Sequence, residues 1–444
     1  MVAGLLCVAQ FVVVLDATIV AIALPAVQAD LGLSTSALGW VITAYTLTFG
    51  GCLLAAGRLA DRIGRRKAFR AGLALFGAAS LACGLAPSGA VLIGARAVQG
   101  LGAAVVSPAA LALLLTARRD RRAVGWWTAA AAGGGASGWV LGGVLTGALD
   151  WRWVFLVNLP VCAAALVLTP RVLTERREPS PAPVDLAGAL LATLGLGALV
   201  LGLTLAPSHA LAALLALAAA GAVLARFMRV ESRAADPVLS RRMRPALQPN
   251  AVGAVLTAAT TPPMFFCVLH AQNELRLEPA EAGLLFPPFN LAVIAGSLAG
   301  PRVTAAVGER RAMGGGLLAV AAGALVLATL TLPSLLIGFT VMGAGLGVAS
   351  VASTARGTAA LAAADRGLAS GLLSTSAQVG TVLGLAALVP VAEVGGYEPG
   401  FVLAAALAAL AAATVGRAAR SRASASCSGS AAPSTTSSGA SGGS

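Results

Sequence analysis

Charge is scarce in this sequence. Asp, Glu, Lys and Arg make up 11% of its 444 residues, against about 25% in an ordinary soluble domain. With 58% of positions hydrophobic and a mean hydropathy of +0.88, the chain cannot cover itself with polar surface, which excludes a water-soluble globular protein. Histidine occurs twice, and the six cysteines (Cys7, Cys52, Cys83, Cys162, Cys267, Cys427) show no metal-ligand spacing. No metal centre or disulfide framework is expected; five of these cysteines fall in apolar runs and read as small hydrophobes. There is no Gly-Lys-Ser/Thr loop and no polar segment long enough for a soluble domain. Both absences exclude an ATP-driven pump and a membrane enzyme with a nucleotide site. Short alternating segments, the mark of a membrane β-barrel, are missing too.

What is present is helix-forming apolar sequence in long runs. A spanning helix needs about 20 apolar residues, and lipid-facing backbone must be helical to satisfy its own polar groups. Breaking the chain at charged or Pro/Gly-rich joints predicts spans at 3–26, 40–60, 69–87, 90–116, 124–148, 153–171, 185–206 and 209–229. Six more follow at 250–270, 282–304, 313–332, 334–354, 367–391 and 399–416. This predicts an all-α membrane protein of fourteen transmembrane helices, with Pro262, Pro263, Pro287 and Pro288 interrupting the pattern near 262–290.

The net charge of +13 would suit a nucleic-acid binder, but its distribution points to a bilayer. With both termini cytoplasmic, the inner loops and tail hold 27 of the 30 basic residues. The outer loops hold Arg152 and Arg276, and Arg96 lies within a span. Cytoplasmic loops carry such an excess of Lys and Arg, and one missed span would destroy the asymmetry. The segment 417–444, rich in Ser, Ala and Gly, is predicted to be a disordered cytoplasmic tail.

The chain also repeats itself. The loop Gly57-Arg58-Leu-Ala-Asp61-Arg62-Ile-Gly64-Arg65-Arg66-Lys67 shares its outline with Gly300-Pro-Arg302-Val-Thr-Ala-Ala-Val-Gly308-Glu-Arg310-Arg311. Both follow the second span of a six-span block if spans 7 and 8 are set aside. Paired halves around a central cavity are a common transporter plan. The expected division is a six-helix bundle at 1–173, two inserted helices within 174–248, a second bundle at 249–416 and the tail.

Three features carry chemistry. Asp16 is the only carboxylate near mid-span, where a charge must be protonated, paired or facing a wet cavity. Arg96 sits roughly 9 Å inside the outer end of its span at 1.5 Å per residue, and a guanidinium there must pair or hydrate. Asp61, among basic neighbours, fits an inter-helix latch that breaks as two halves rock. Gly134, Gly138 and Gly142 recur at i, i+4 and i+8, a stripe for close helix contact.

Four ordered motifs give a family resemblance along nearly the whole chain to about residue 416. They are Leu15-Asp16-Ala-Thr18 through Ala23-Leu24-Pro25; the Gly57–Lys67 loop; Arg96-Ala-Val-Gln99-Gly100-Leu-Gly102-Ala-Ala104; and, after the glycine-rich span 5, Trp151-Arg-Trp153-Val-Phe155-Leu-Val-Asn158-Leu-Pro160. In these the sequence resembles the fourteen-span drug:proton antiporters of the major facilitator superfamily. It departs at Trp139, where the family usually carries Pro after Gly138, and at Ala377, where arginine often stands.

The resemblance implies a major facilitator fold of two six-helix bundles plus two extra central helices, not an enzyme, working in the cell membrane as a monomer without nucleic acid. It implies proton coupling at Asp16 and Arg96, a conformational latch in Gly57, Asp61, Arg62, Gly64, Arg65 and Arg66, and helix packing or gating through Gln99, Gly100, Gly134, Gly138, Gly142 and Gly143. No metal or cofactor is implied; the energy source is the proton gradient. The expected activity is export of a hydrophobic or amphipathic drug in exchange for protons. The alternative is a proton-coupled symporter importing a small metabolite, which should need more polar residues facing its cavity.

Overall fold

The computed structural model describes residues 2–117, 121–173, 186–233, 244–359 and 366–428, and among these every regular element is a helix. The first bundle contains α1 (Val2–Leu31), α2 (Thr35–Ile63), α3 (Arg65–Gly84), α4 (Gly89–Ala117), α5 (Arg121–Ala148) and a sixth span built from α6 (Trp153–Leu156) and α7 (Asn158–Val172). Two helices follow, α8 (Leu186–Leu205) and α9 (Ala210–Glu231). The second bundle contains α10 (Arg244–Asn273), a broken span of α11 (Pro279–Gly283) and α12 (Pro287–Val307), α13 (Glu309–Leu327), α14 (Leu332–Ala359), α15 (Arg366–Gly395) and α16 (Tyr397–Ser428).

Among the described residues, twelve helices are long and apolar enough to cross a membrane. The other two expected spans coincide with α3 and α5, which have the length but less hydropathy. α3 opens on Arg65, Arg66, Lys67 and Arg70, and α5 is diluted by glycine. Both pack along apolar partners, α3 on α4 and α5 on α1.

Two local expectations are corrected. α10 runs unbroken through Pro262 and Pro263, as membrane helices can when neighbours re-satisfy the freed carbonyls. The chain breaks instead before Pro287, which sits in the first turn of α12, where a missing N–H costs nothing. The tail correction lies at 417–428, predicted to be disordered, where α16 continues to Ser428. That segment is alanine- and arginine-rich, and those residues favour helix. Residues 429–444 fall outside the described ones.

The internal repeat is visible in the helix pairing. In each bundle the first helix packs on the fifth, and the second and third pack on the fourth: α1 on α5, α2 and α3 on α4, then α10 on α15, α12 and α13 on α14. The repeated loops share a backbone turn as well as a sequence outline. Gly64 ends α2 and starts α3 at φ +103°, and Gly308 ends α12 and starts α13 at φ +84°. An L side chain rarely adopts this left-handed backbone, so the glycine in each copy is what allows two long helices to meet without a connecting loop.

The halves meet along two seams. α2 lies against α15, with Ser36 donating to Glu393 at one end. α5 meets α11 and α12 through Trp139, Gly143 and Gly147. The Trp139 ring stacks on Phe286 at 4.0 Å, and Gly143 packs on the Pro279–Ala280 backbone. Gln272 of α10 donates to the Ile22 carbonyl of α1 at 2.8 Å. The Ser36, Trp139, Gly143 and Gln272 contacts close the end of the molecule opposite the basic loops. α2 also meets α15 farther along, at Gly50 with Gln378 and Leu54 with Gly371.

Candidate functional site

A buried polar cluster sits inside the first bundle, on five spans that each contribute a side chain or carbonyl. Asp16 (α1), Ser80 (α3), Arg96 and Gln99 (α4) and Asn158 (α7) are none of them more than 1% exposed. Arg96 Nη1 donates to Asp16 Oδ2 at 2.5 Å and to Gln99 Oε1 at 2.7 Å, while its Nε donates to the Val41 carbonyl of α2 at 3.1 Å. The other carboxylate oxygen, Asp16 Oδ1, accepts from Gln99 Nε2 at 2.8 Å and Asn158 Nδ2 at 2.7 Å. Both amides also donate to Ser80 Oγ, at 3.1 and 3.0 Å, and Ser80 donates to the Phe155 carbonyl at 2.9 Å.

This arrangement answers the physical problem of two charges in hydrocarbon. Taking an ion pair out of water is offset only by good geometry and by hydrogen bonds to its remaining groups. Here each carboxylate oxygen has a charged or amide donor. The guanidinium also lies 4.2 Å from the centre of the Tyr45 ring, an arrangement that attracts a cation. Tyr45 is itself fixed by donating to the Val13 carbonyl at 3.1 Å. Arg96 therefore does not snorkel to the surface. One polar atom stands apart: Asn158 Oδ1 is buried with no hydrogen-bond partner among the described residues.

The sequence singled out Asp16, Arg96 and Gln99 separately, and the structure brings them together. It did not single out Ser80, Tyr45 or Asn158 as site residues. Asn158 belongs to the Trp151–Pro160 motif, but nothing in its spacing signals a contact with a residue 142 positions away.

The glycine stripe holds α1 in place beside this cluster. A Cβ on Gly134 would overlap the Phe11 carbonyl oxygen. One on Gly142 would lie 2.6 Å from the Ile19 carbonyl, and one on Gly138 would meet Thr18. Gly143 faces the other half, and Gly100 lies against the Tyr45 carbonyl of α2. The Gly57–Arg66 loop sits well away from the cluster. Arg65 Nε donates to Asp61 at 2.7 Å, Arg66 donates to the Leu173 carbonyl at 2.9 Å, Gly57 rests on Pro108 and Arg62 is exposed. Asp61, Leu173 and Pro108 all lie in the first half. Trp151, at the start of the fourth motif, is buried and donates to Asp30 at 3.1 Å. Among the described residues no group of three or more His, Cys, Asp and Glu converges as metal ligands would.

Comparison with known proteins gives one consistent result. A cephamycin export protein of Amycolatopsis lactamdurans is 40% identical over 88% of this chain and 84% of its own length. A puromycin resistance protein of Streptomyces alboniger is 37% identical over 86% of this chain and 79% of its own. A solved POT family transporter in complex with 5-aminolevulinic acid shares the fold, with a TM-score of 0.71 at 12% identity over 93% of this chain and 95% of its own. The family model of the Major Facilitator Superfamily matches residues 6–228 and 250–433. With its repeated bundles and its span-rich helices, the chain belongs to the major facilitator superfamily, as a multi-pass membrane transporter.

Proposed function

We propose that this transporter exports an antibiotic-like amphipathic molecule in exchange for protons by alternating access, with both termini cytoplasmic, as a monomer. The observation that carries proton coupling is the buried Asp16–Arg96 pair and its amide shell. The substrate class is supported by the relatives, whose names describe cephamycin export and puromycin resistance.

The geometry suits a carboxylate that alternates between two states. When Asp16 is ionised, Arg96 draws α1 and α4 together. A proton on Asp16 neutralises that attraction. Arg96 then keeps Gln99 Oε1, the Val41 carbonyl and the Tyr45 ring, so its charge stays solvated within the bundle. The protonated acid needs an acceptor, and Asn158 Oδ1 is the neighbouring buried oxygen still free to accept among the described residues. α1 carries the change outward. It packs along α5 on the glycine stripe, and its Ile22 carbonyl accepts from Gln272 across the seam. Loosening α1 from α4 thus bears on the contacts that close one end of the molecule. A ligand or proton shifts such an equilibrium only through its differential affinity for the two states, and the ion pair supplies that difference.

The loop around Gly64 is the proposed latch. Its Asp61–Arg65 pair and the Arg66 contact to Leu173 brace α2, α3 and α7 at the basic end. Asp61→Ala is expected to slow export several-fold while surface expression stays at the wild-type level. Substrate flux per molecule, normalised to quantified membrane protein, checks it, and normal turnover removes the latch.

The function itself is tested by expression in a drug-sensitive host, with resistance profiled across compound classes and a protonophore control. Raised tolerance to puromycin that the protonophore abolishes is the expected outcome. Nutrient uptake without resistance would instead favour symport.

A further inference from the structure

A second buried polar feature lies outside the Asp16 network. A cavity of about 410 Å³ opens between α2, α15, α10 and the inserted pair α8 and α9. Its walls are apolar: Leu54, Leu196, Phe227, Leu247, Leu372 and Val379 contribute from all five helices. Into this surface two polar groups are set without partners among the described residues. Asn250 is 6% exposed and its Nδ2 donates to nothing; Thr375 Oγ1 is likewise buried and unpaired. Arg58 and the buried Glu231, both engaged in polar contacts, line the same cavity. Arg58 lies five residues from the end of α2 and Glu231 is the last residue of α9, so this is the end of the molecule that carries the basic loops.

An orphaned buried amide is unfavourable, and native structures hold so few that each has a reason. The cavity volume falls within the roughly 300–1,000 Å³ of small-molecule pockets, which combine apolar walls with a few placed polar groups. Both observations have one explanation, a ligand that brings the missing hydrogen-bond partner. We infer that this cavity is a binding site for an amphipathic small molecule that presents an oxygen acceptor to Asn250 and Thr375 and lays an apolar body against the leucine walls.

The position of the site adds a role. α8 packs on both α2 and α15, which belong to different halves, and the inserted pair is otherwise little buried. A molecule in the cavity therefore touches both halves and the insert together, at the edge of the bundle beside the lipid. Its affinity must change when the halves move relative to each other. The inserted helices thereby act as the outer wall of a ligand site reached from the bilayer, which gives them a use beyond the two-bundle plan. The inference rests on the export reading for its choice of ligand class.

The test uses the full transporter in nanodiscs of phosphatidylethanolamine and phosphatidylglycerol, titrated with tritiated puromycin at fixed pH and without a gradient. Ala192→Phe fills the cavity from α8, and Asn250→Leu removes the orphaned donor at similar volume. Each is expected to weaken binding at least tenfold. Asn250→Leu should also raise the ligand-free melting temperature and abolish the stabilisation that bound puromycin gives, since a ligand stabilises only the state it binds. A merely structural asparagine would do neither. If Ala192→Phe does not assemble, Asn250→Leu decides alone. Wild-type affinity in a folded Asn250→Leu, absence of saturable puromycin binding to the wild type, or phospholipid retained in the cavity through puromycin saturation would each overturn the inference. With no gradient imposed, a failure of proton coupling at Asp16 leaves this binding result standing.

Discussion

Arg96→Met is expected to cost more than any other single substitution, in stability and transport together. It removes the guanidinium and leaves the Asp16 carboxylate, 0% exposed, facing only the amides of Gln99 and Asn158. Removing one partner of a buried pair typically destabilises by about 3–5 kcal/mol, because the remaining charge is uncompensated. Without the guanidinium there is no longer a pair between α1 and α4 to make and break, which is expected to stop the cycle. Export is expected to fall below detection, with a clearly lower melting temperature in detergent. The double substitution Asp16→Asn with Arg96→Met separates the two effects. Replacing both charges of a buried pair is often neutral or stabilising, so stability should return toward the wild type while proton-driven export stays lost. Recovery of export in the double variant would mean that the pair only holds helices together.

The second large effect is steric and discriminates between adjacent glycines. Gly134→Ala places a methyl on the Phe11 carbonyl oxygen, and Gly142→Ala places one 2.6 Å from the Ile19 carbonyl. Both obstacles are backbone of α1, so they yield only if the helix moves. Forcing extra carbon into a packed core costs about 1–3 kcal/mol, occasionally more. A shift of α1 also displaces Asp16, which lies between these two contacts along the helix. By contrast, a methyl on Gly135 meets Val14 at an ordinary 3.7 Å, and one on Gly125 meets nothing within 4 Å. Gly134→Ala and Gly142→Ala should each lower the melting temperature and reduce export by tenfold or more. Gly135→Ala and Gly125→Ala should behave as wild type. Equal tolerance at all four sites in a thermal-shift and transport comparison would show that the stripe is not a close contact.

Much of this architecture is legible in the sequence because charge is rare. Where Lys and Arg occur they mark loops, and so the spans and the repeat can be read by position. The Gly64 and Gly308 turns follow from the same repeat, since each needs a residue tolerant of positive φ. Asp16 and Arg96 stand out for the complementary reason, as charges within apolar runs. Their union does not, because the two are 80 residues apart and one chain holds no signal of which helices meet. Ser80 and Asn158 are ordinary polar residues among many in the spans, and only three-dimensional convergence gives them weight.

Trp139 illustrates the same limit. Its place in the glycine-rich span is visible as a departure from the family pattern. Its stacking on Phe286, an aromatic contact between the halves, depends on a partner from a distant helix. The two proline pairs also read alike in sequence. Only position separates them: one pair lies within a helix braced by neighbours and the other in the first turn of a new helix.

The central claim is that a proton on Asp16 drives export. The direct measurement reconstitutes wild type and Asp16→Asn in liposomes and follows puromycin accumulation when an inward-directed exchange is driven by an imposed pH gradient. The wild type is expected to concentrate puromycin against its gradient and to move protons the opposite way. Asp16→Asn, which keeps hydrogen bonding but cannot ionise, should only equilibrate the drug. Gradient-driven accumulation by Asp16→Asn at the wild-type level would contradict the claim.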